Sequence, residues 1–318
     1  MSSVEIHKFP VVEEPHLVTI KDKTRNSGLT SVNFVDDTRM ICADFNDKLI
    51  YLTVLKNGAL EIINTHPTVI SDGSCVQTDL IDFQDNLIVV SNFYQGSVGI
   101  YRLTDNEISF EQELDLNNYK GLHGVRFIPG HPGLLWLAYC GAKNKCHQIV
   151  DWQSKTVIHQ IDTDQQCQDI AFINGYAVVF ARTDHIKVGT ASARILSKQW
   201  WMFATAYVYK VPEDLRLTEP VFISRWKGKG HLDACKAYDG EIYAANQYLD
   251  RVDVFSLSDD GRLSLSRSIE GMGMPHGLDV RNNKLAVTNY GDQTLRIMDL
   301  AAHGKWLGGE PDFDRADA

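Results

Sequence analysis

Three of the eleven histidines stand where they could share one site, with an aspartate beside one of them. His123 and His276 each open a recurring apolar segment, and His231 precedes Asp233 by two residues in another. Because an imidazole titrates near neutral pH, such residues can act as general acid and base on a bound molecule. With a carboxylate as third ligand they can instead bind a divalent cation. The alternative is that they only hydrogen-bond backbone groups at strand ends.

These residues can meet only if a repeated element brings them together, and the chain does repeat. The clearest copy is PHGLDVRNNKLAVTNYGDQTLRIMDL at 275–300, and others run over 77–103, 123–150 and 232–257. The equivalent first residues, at steps of 47, 45, 45, 65 and 43, are Ser31, Thr78, His123, Gln168, Asp233 and His276. Each copy contains short alternating apolar segments divided by Gly, Asn and Asp turns, with room for four strands.

Four antiparallel strands per repeat make one blade of a β-propeller. Six copies therefore predict an all-β, six-bladed β-propeller over residues 1–318. The sixth copy lacks its outer strand after residue 300, and we expect residues 6–12 or 16–20 to supply it. That closes the ring and removes an exposed sheet edge. Seven blades are the alternative, if the two termini together build another.

In a propeller, the start of the inner strand and the loop between the second and third strands lie at the same mouth of the central channel. That mouth is predicted to hold His123, His276, His231 and Asp233, which are the candidate catalytic residues and also the candidate metal ligands. Side chains placed to bind a substrate there are Gln77, Gln168, Asn92, Tyr139, Asn246, Gln247, Asn289 and Tyr290. An Asn that ends a strand can instead serve the turn alone.

The long fourth step contains an insertion of about twenty residues, at 184–205, which includes Trp200 and Trp201. It follows the second strand of the fourth blade and so lies at the same mouth. Ordering such a segment costs entropy, which favours a packing or functional role. We expect a lid that contacts the substrate through the two Trp. The alternatives are packing on the blade edge and an oligomer contact.

The composition of the chain excludes several classes of binding partner. The net charge is −10 and no long basic block is present, which argues against nucleic acid. No apolar run is long enough for a membrane helix and the first ten residues do not resemble a signal peptide, so we expect a cytoplasmic protein without a membrane partner.

Six scattered Cys suggest neither a disulfide framework nor a zinc knuckle. No phosphate-binding loop and no G-x-S-x-G elbow is found.

The copies resemble known propellers. LAVTNYGDQTLRIMDL is similar to the YVTN-type repeat, and VDVFSLSDDGRLSLSRSIEGMGMPHGLDV resembles the lactonase family that includes 6-phosphogluconolactonase and carboxy-cis,cis-muconate cyclase. The resemblance implies a seven-bladed ring with a pocket where a His, an Arg and a Glu open or close a lactone. His123 matches the family's H-x-x-x-F-x-P opener. The chain has Gln247 where the family has Glu and Tyr290 where it has Arg, and neither replacement does the same chemistry.

The sequence therefore predicts an enzyme that acts on a small, partly apolar organic molecule at the channel mouth. Lactone hydrolysis, elimination, isomerisation and ring closure all remain open. No redox cofactor is expected, and a divalent metal is possible. The alternative is a propeller that binds a small molecule or a protein without catalysis.

Overall fold

The computed structural model describes residues 11–14, 17–21, 28–56, 59–116, 120–141, 144–182, 203–292 and 294–301. These residues form six antiparallel sheets arranged as a six-bladed β-propeller, as the repeat predicts. Within them the one helical element is a 3-10 turn at Gln247–Leu249, and no helix is suited to spanning a bilayer. The proposed lid falls mostly on residues 183–202, which lie outside the described part of the chain.

Blades 1 to 5 each contain four strands that follow one another from the channel outward. Blade 1 contains β3 (Leu29–Phe34), β4 (Arg39–Asp44), β5 (Leu49–Lys56) and β6 (Ala59–Pro67). Blade 2 contains β7 (Thr78–Gln84), β8 (Leu87–Asn92), β9 (Ser97–Thr104) and β10 (Glu107–Leu114). Blade 3 contains β11 (Leu122–Phe127), β12 (Leu134–Tyr139), β13 (Cys146–Asp151) and β14 (Thr156–Asp162). Blade 4 contains β15 (Gln166–Ile173), β16 (Tyr176–Arg182), β17 (Phe203–Lys210) and β18 (Val221–Lys229). Blade 5 contains β19 (Leu232–Tyr238), β20 (Glu241–Asn246), β21 (Arg251–Leu257) and β22 (Leu263–Glu270).

Blade 6 joins the two ends of the chain. Its inner strands are β23 (Pro275–Arg281), β24 (Lys284–Asn289) and β25 (Thr294–Asp299). The N-terminal strand β2 (Leu17–Lys21) pairs antiparallel with β25, and β1 (Val11–Glu14) adds a fifth strand outside it. The predicted closure by an N-terminal strand is therefore confirmed, and the segment that pairs with β25 is the later of the two candidates.

The hydrophobic core lies between the blades. Six large clusters of buried apolar side chains are present among the described residues, one at each interface between neighbouring blades. The cluster between blades 6 and 1, for example, packs Val32 and Met40 against Ala286 and Leu295. Since burial of apolar area is the main favourable term in folding, these interfaces hold the inner strands in a fixed ring around the channel.

Close contact between inner strands leaves no room for a side chain at Gly277. An added Cβ would stand 2.3 Å from the carbonyl oxygen of Thr30 and 2.6 Å from Cα of Ser31, both on the neighbouring blade. We expect Gly277→Ala to push β23 away from β3 and lower the free energy of unfolding by about 1–3 kcal/mol, as overpacking does. Urea denaturation measures this change. An unchanged midpoint and slope would contradict the packing described.

Candidate functional site

Each of the six inner strands has a break in its pairing register near its first residue. Such irregularities turn a side chain out of the regular alternation, and here they turn one residue of every blade to the channel. In blade order these residues are Thr30, Asp79, His123, Gln168, Asp233 and His276. We call these six residues the axial ring.

The axial ring differs at two positions from the residues that the sequence repeat had aligned. Ser31 and Thr78 were expected at the channel, but the ring positions of blades 1 and 2 are Thr30 and Asp79. The Ser31 hydroxyl instead accepts a hydrogen bond from the backbone N–H of Ile81, 3.1 Å away. The shift is one residue, and one residue is enough to change the face on which a strand side chain lies.

Four ionisable side chains of the ring converge on the channel axis. His123 and His276 belong to opposite blades, as do Asp79 and Asp233, and all four are buried. His123 Nε2 lies 2.9 Å from Asp233 Oδ1 and 3.5 Å from Asp79 Oδ2. His276 Nε2 lies 3.4 Å from Asp79 Oδ1 and 3.6 Å from Asp233 Oδ2. Each imidazole therefore stands between the same two carboxylates.

Backbone carbonyls fix the orientation of both imidazoles. His123 Nδ1 lies 2.9 Å from the carbonyl oxygen of Gln168, and His276 Nδ1 lies 2.8 Å from that of Thr30. A carbonyl only accepts, so each Nδ1 carries a proton and donates it. Each Nε2 consequently faces the axis, where it can carry a second proton or present a lone pair.

The charges of the ring stabilise one another. Burial disfavours the charged form of His123, but the carboxylates of Asp79 and Asp233 outweigh it and hold the pKa of His123 well above its ordinary value. Burial likewise disfavours ionised Asp233, but His276, His231 and His123 outweigh it and lower the pKa of that carboxyl. The surroundings thus favour the charged forms of His123 and Asp233.

His231 lies beside the ring, at the end of the loop that precedes β19. Its Nε2 is 3.9 Å from Asp233 Oδ1 and 3.2 Å from Arg182 Nη1. The side-chain amide of Gln168 is oriented so that both its nitrogen and its oxygen form hydrogen bonds. The nitrogen donates to Asp233 Oδ1 at 3.2 Å, and the oxygen accepts from Arg182 Nε at 3.2 Å. A guanidinium and a third imidazole therefore extend the site toward blades 4 and 5.

Aromatic side chains surround the same end of the channel. The ring centroid of Phe93 is 6.5 Å from that of His123, and Tyr290 is 5.8 Å from His276. Tyr248 is 4.8 Å from His231. Tyr290 and Tyr94 remain 40% and 53% exposed, so they present aromatic surface to a molecule that enters the mouth.

The remaining predicted substrate-binding residues make structural contacts. Asn92 donates to the Ser97 hydroxyl, Asn246 accepts from the His231 backbone N–H, and Asn289 accepts from the Gly273 backbone N–H. These contacts at strand ends fit the structural alternative for the three Asn, and a substrate contact by them stays a prediction. The Tyr139 hydroxyl donates to Gln148 within blade 3.

Four further predicted binding residues lie near the mouth or outside the described residues. The backbone of Gln77 accepts a hydrogen bond from Phe93, and that of Gln247 donates to His231. Trp200 and Trp201 lie outside the described residues. A substrate contact by any of the four stays a prediction.

A second charged layer lies further along the channel. Arg126 pairs with Asp169, and Lys236 Nζ lies 3.2 Å from Asp82 and 3.5 Å from Asp279. A cavity of about 280 Å³ opens beyond this layer, lined in part by Phe34, Phe83, Lys236 and Arg281. Its charged lining residues Lys236 and Asp279 already pair with each other, so this cavity does not share the convergence of imidazoles seen in the axial ring.

Besides Thr30, two ionisable residues of the site, Asp79 and Arg182, were not anticipated from the sequence. Asp79 could have been found by aligning the inner strands as LTSVNF, TDLIDF, LHGVRF, LDACKA and PHGLDV, because the second letter is then the ring residue in each. Arg182 ends β16 directly before the insertion, and no repeated position marks it.

Comparison with known proteins gives the fold class. No protein-family model matches the chain, and no curated protein sequence matches it. The chain is similar to the Myceliophteria thermophila Cps50 (Swd1) β-propeller domain, with 10% identity over 85% of this chain and 83% of that one, at a TM-score of 0.55. It is similar to virginiamycin B lyase from Staphylococcus aureus, with 8% identity over 89% and 98% of the two chains, at 0.54. It is also similar to Kuenenia stuttgartiensis hydrazine synthase, with 9% identity over 86% and 95%, at 0.58.

At these identities the likeness shows the fold alone. The chain is a six-bladed β-propeller with an imidazole–carboxylate ring at one end of its channel. The lactonase-type resemblance finds support only at the level of the propeller fold, and two of the solved neighbours are named as enzymes.

Proposed function

We propose that the chain is an enzyme that binds a small organic molecule over the axial ring and transfers protons there, in a lyase, isomerase or lactone-hydrolase reaction. The observation that carries the proposal is the convergence of two imidazoles and two carboxylates, from four different blades, on one buried point of the axis.

The fold itself does not require these charges. Thr30 and Gln168 occupy the same position in blades 1 and 4 with neutral side chains, and the propeller closes there just as well. Buried charges carry a desolvation cost that well-packed neutral groups avoid. A functional role explains why four of the six positions bear ionisable groups.

The geometry suits a molecule with a carbonyl or lactone oxygen. A positive centre in the ring would stabilise negative charge that develops on this oxygen, as preorganised electrostatic groups do in enzymes. His231 lies beside the ring, within reach of Asp233, and is placed to move a proton to or from the bound molecule. The exposed faces of Tyr290 and Tyr94 would contact the apolar part.

The proposal is tested by turnover on a panel of lactones and of carbonyl compounds with an acidic α-hydrogen, followed by NMR. We expect conversion of at least one compound, and a loss of about 100-fold or more in kcat for His123→Gln and for His231→Gln, since a glutamine neither transfers the proton assigned to His231 nor replaces the His123 imidazole in the axial ring. His66→Gln, on the outer strand β6, is the matched control and should keep full activity.

Circular dichroism and thermal unfolding separate loss of chemistry from loss of fold in each variant. Full turnover by both site variants would contradict the assignment. Binding of a panel compound without any conversion would instead favour the non-catalytic scaffold.

A further inference from the structure

We infer that Asp79, His123 and His276 hold one divalent first-row transition-metal cation on the propeller axis, with the carboxylate of Asp233 beside them. The inference rests on the proposed function for the role of this cation, which would be the positive centre that polarises a substrate oxygen. The binding itself can be measured without any turnover.

The distances between the donor atoms suit a four-coordinate ion with three protein ligands and one open position. Metal–nitrogen and metal–oxygen bonds of about 2.0–2.2 Å place neighbouring donors of a tetrahedral site about 3.3–3.6 Å apart. Asp79 Oδ2 lies 3.5 Å from His123 Nε2, and Asp79 Oδ1 lies 3.4 Å from His276 Nε2. Both separations are longer than a good hydrogen bond and within this span, whereas the 2.9 Å between His123 Nε2 and Asp233 Oδ1 is a hydrogen bond. The donor atoms of Asp79, His123 and His276 all lie within 4.8 Å of one another.

The outer nitrogens of both imidazoles are held as metal ligands require. A histidine that binds a metal through one nitrogen usually donates its other N–H to a carbonyl or carboxylate, which fixes the tautomer and the plane of the ring. His123 and His276 both do this, to the carbonyls of the next blade at 2.9 and 2.8 Å. The two Nε2 atoms consequently face one point, and each would bind the cation after giving up any second proton.

A buried carboxylate oxygen points to a missing partner. Asp79 is 5% exposed, and its Oδ1 has no hydrogen bond from any described residue, its neighbour being His276 Nε2 at 3.4 Å. Buried charged oxygens without a partner carry a high desolvation cost. A cation of charge +2 would bond this oxygen and balance the two carboxylates of Asp79 and Asp233.

The donor set selects the class of ion. Imidazole nitrogen suits Zn²⁺, Fe²⁺, Ni²⁺ and Cu²⁺, whereas Ca²⁺ and Mg²⁺ prefer sites made of oxygen ligands. Two imidazoles and one carboxylate therefore favour a transition ion such as Zn²⁺ over Ca²⁺. His231 lies outside the three ligands and keeps its place for proton transfer.

The test is a titration of chelator-treated full-length protein with Zn²⁺, measured by isothermal calorimetry. We expect one ion per chain, little or no binding of Ca²⁺, and an affinity lower by at least about 10- to 100-fold in Asp79→Asn and His276→Gln, since even changes around metal ligands cost this much. His66→Gln is the matched control and should bind Zn²⁺ like the wild type.

A second measurement needs no variant. Pulsed electron paramagnetic resonance of the Cu²⁺-loaded wild type should detect two coordinated imidazole nitrogens. Absence of a saturable 1:1 site, unchanged affinity in Asp79→Asn, or a Cu²⁺ signal without imidazole would overturn the inference. Stoichiometric binding without turnover on the panel would uphold the metal site and contradict the proposed enzyme. Full turnover by metal-free protein would uphold the proposed enzyme and contradict the role of the cation in its reaction.

Discussion

Replacement of Arg126 by alanine is expected to lower the free energy of unfolding by about 3–5 kcal/mol, as removal of one partner from a buried ion pair does. Arg126 is 3% exposed and donates through two nitrogens to Asp169. It also donates to the carbonyls of Ile81 at 3.0 Å and Cys235 at 3.2 Å. One guanidinium thus links blades 2, 3, 4 and 5, and alanine would leave the Asp169 carboxylate buried without its cation.

Urea denaturation of three variants tests this explanation. Arg102→Ala, which removes an exposed partner of Glu111 on blade 2, should change the free energy of unfolding little, because exposed ion pairs contribute little to stability. Arg126→Met combined with Asp169→Asn should be more stable than Arg126→Ala, because the uncompensated charge is gone while an oxygen remains to accept from the Cys235 backbone N–H at 2.8 Å. Equal losses in Arg126→Ala and Arg102→Ala would show that the buried pair does not hold the blades together.

The blade count could be predicted from the sequence because the signal is spread over the whole repeat. Each copy carries alternating apolar strands and a polar turn, so an error of one residue in any copy does not change the number of copies. Closure by an N-terminal strand followed from the missing outer strand after residue 300, and β2 supplies that strand. Hydrophobic alternation of this kind is a local property that a sequence shows directly.

The site was harder to predict because its side chains are positioned by irregularities in the pairing of the inner strands. Every inner strand breaks its register at the ring residue, and strand periodicity does not show where a break falls. Blades 3 to 6 were aligned correctly by their His, Gln and Asp residues, whereas Thr30 and Asp79 were each missed by one position. Arg182 reaches His231 across a blade interface, a contact between residues 49 positions apart that no local pattern encodes.

Acid sensitivity of the fold is the second large expected effect, and it arises at His147 rather than at the site. This imidazole is fully buried between blades 3 and 4, stacked on Trp136 with ring centroids 5.4 Å apart. Trp136 Nε1 donates to His147 Nδ1 at 2.9 Å, and no described residue hydrogen-bonds Nε2. A proton added to this ring would therefore place an unpaired charge in the core, and burial lowers the pKa of His147 to about 3.

The direction of the effect follows from which state binds the proton. The unfolded chain protonates His147 near its ordinary pKa of about 6.5, whereas the folded chain does not do so until about 3, so the folded protein loses stability as the pH falls between these values. One pKa unit corresponds to about 1.4 kcal/mol, so this residue alone should cost roughly 2–3 kcal/mol between pH 6.5 and 4.5. Above about pH 7.5, where neither state binds the proton, its contribution is constant.

His147→Asn isolates this contribution, since an asparagine oxygen can accept from the Trp136 indole N–H but does not titrate. We measure the free energy of urea unfolding for the variant and the wild type as the pH falls from 6.5 to 4.5. The wild type should lose stability relative to the variant with a slope that corresponds to the binding of about one proton on unfolding. His66→Gln, on an outer strand, should track the wild type. Parallel curves for wild type and His147→Asn would mean that the buried imidazole accepts its proton without unfolding. The interface between blades 3 and 4 would then have to open to water locally while the ring of blades stays closed.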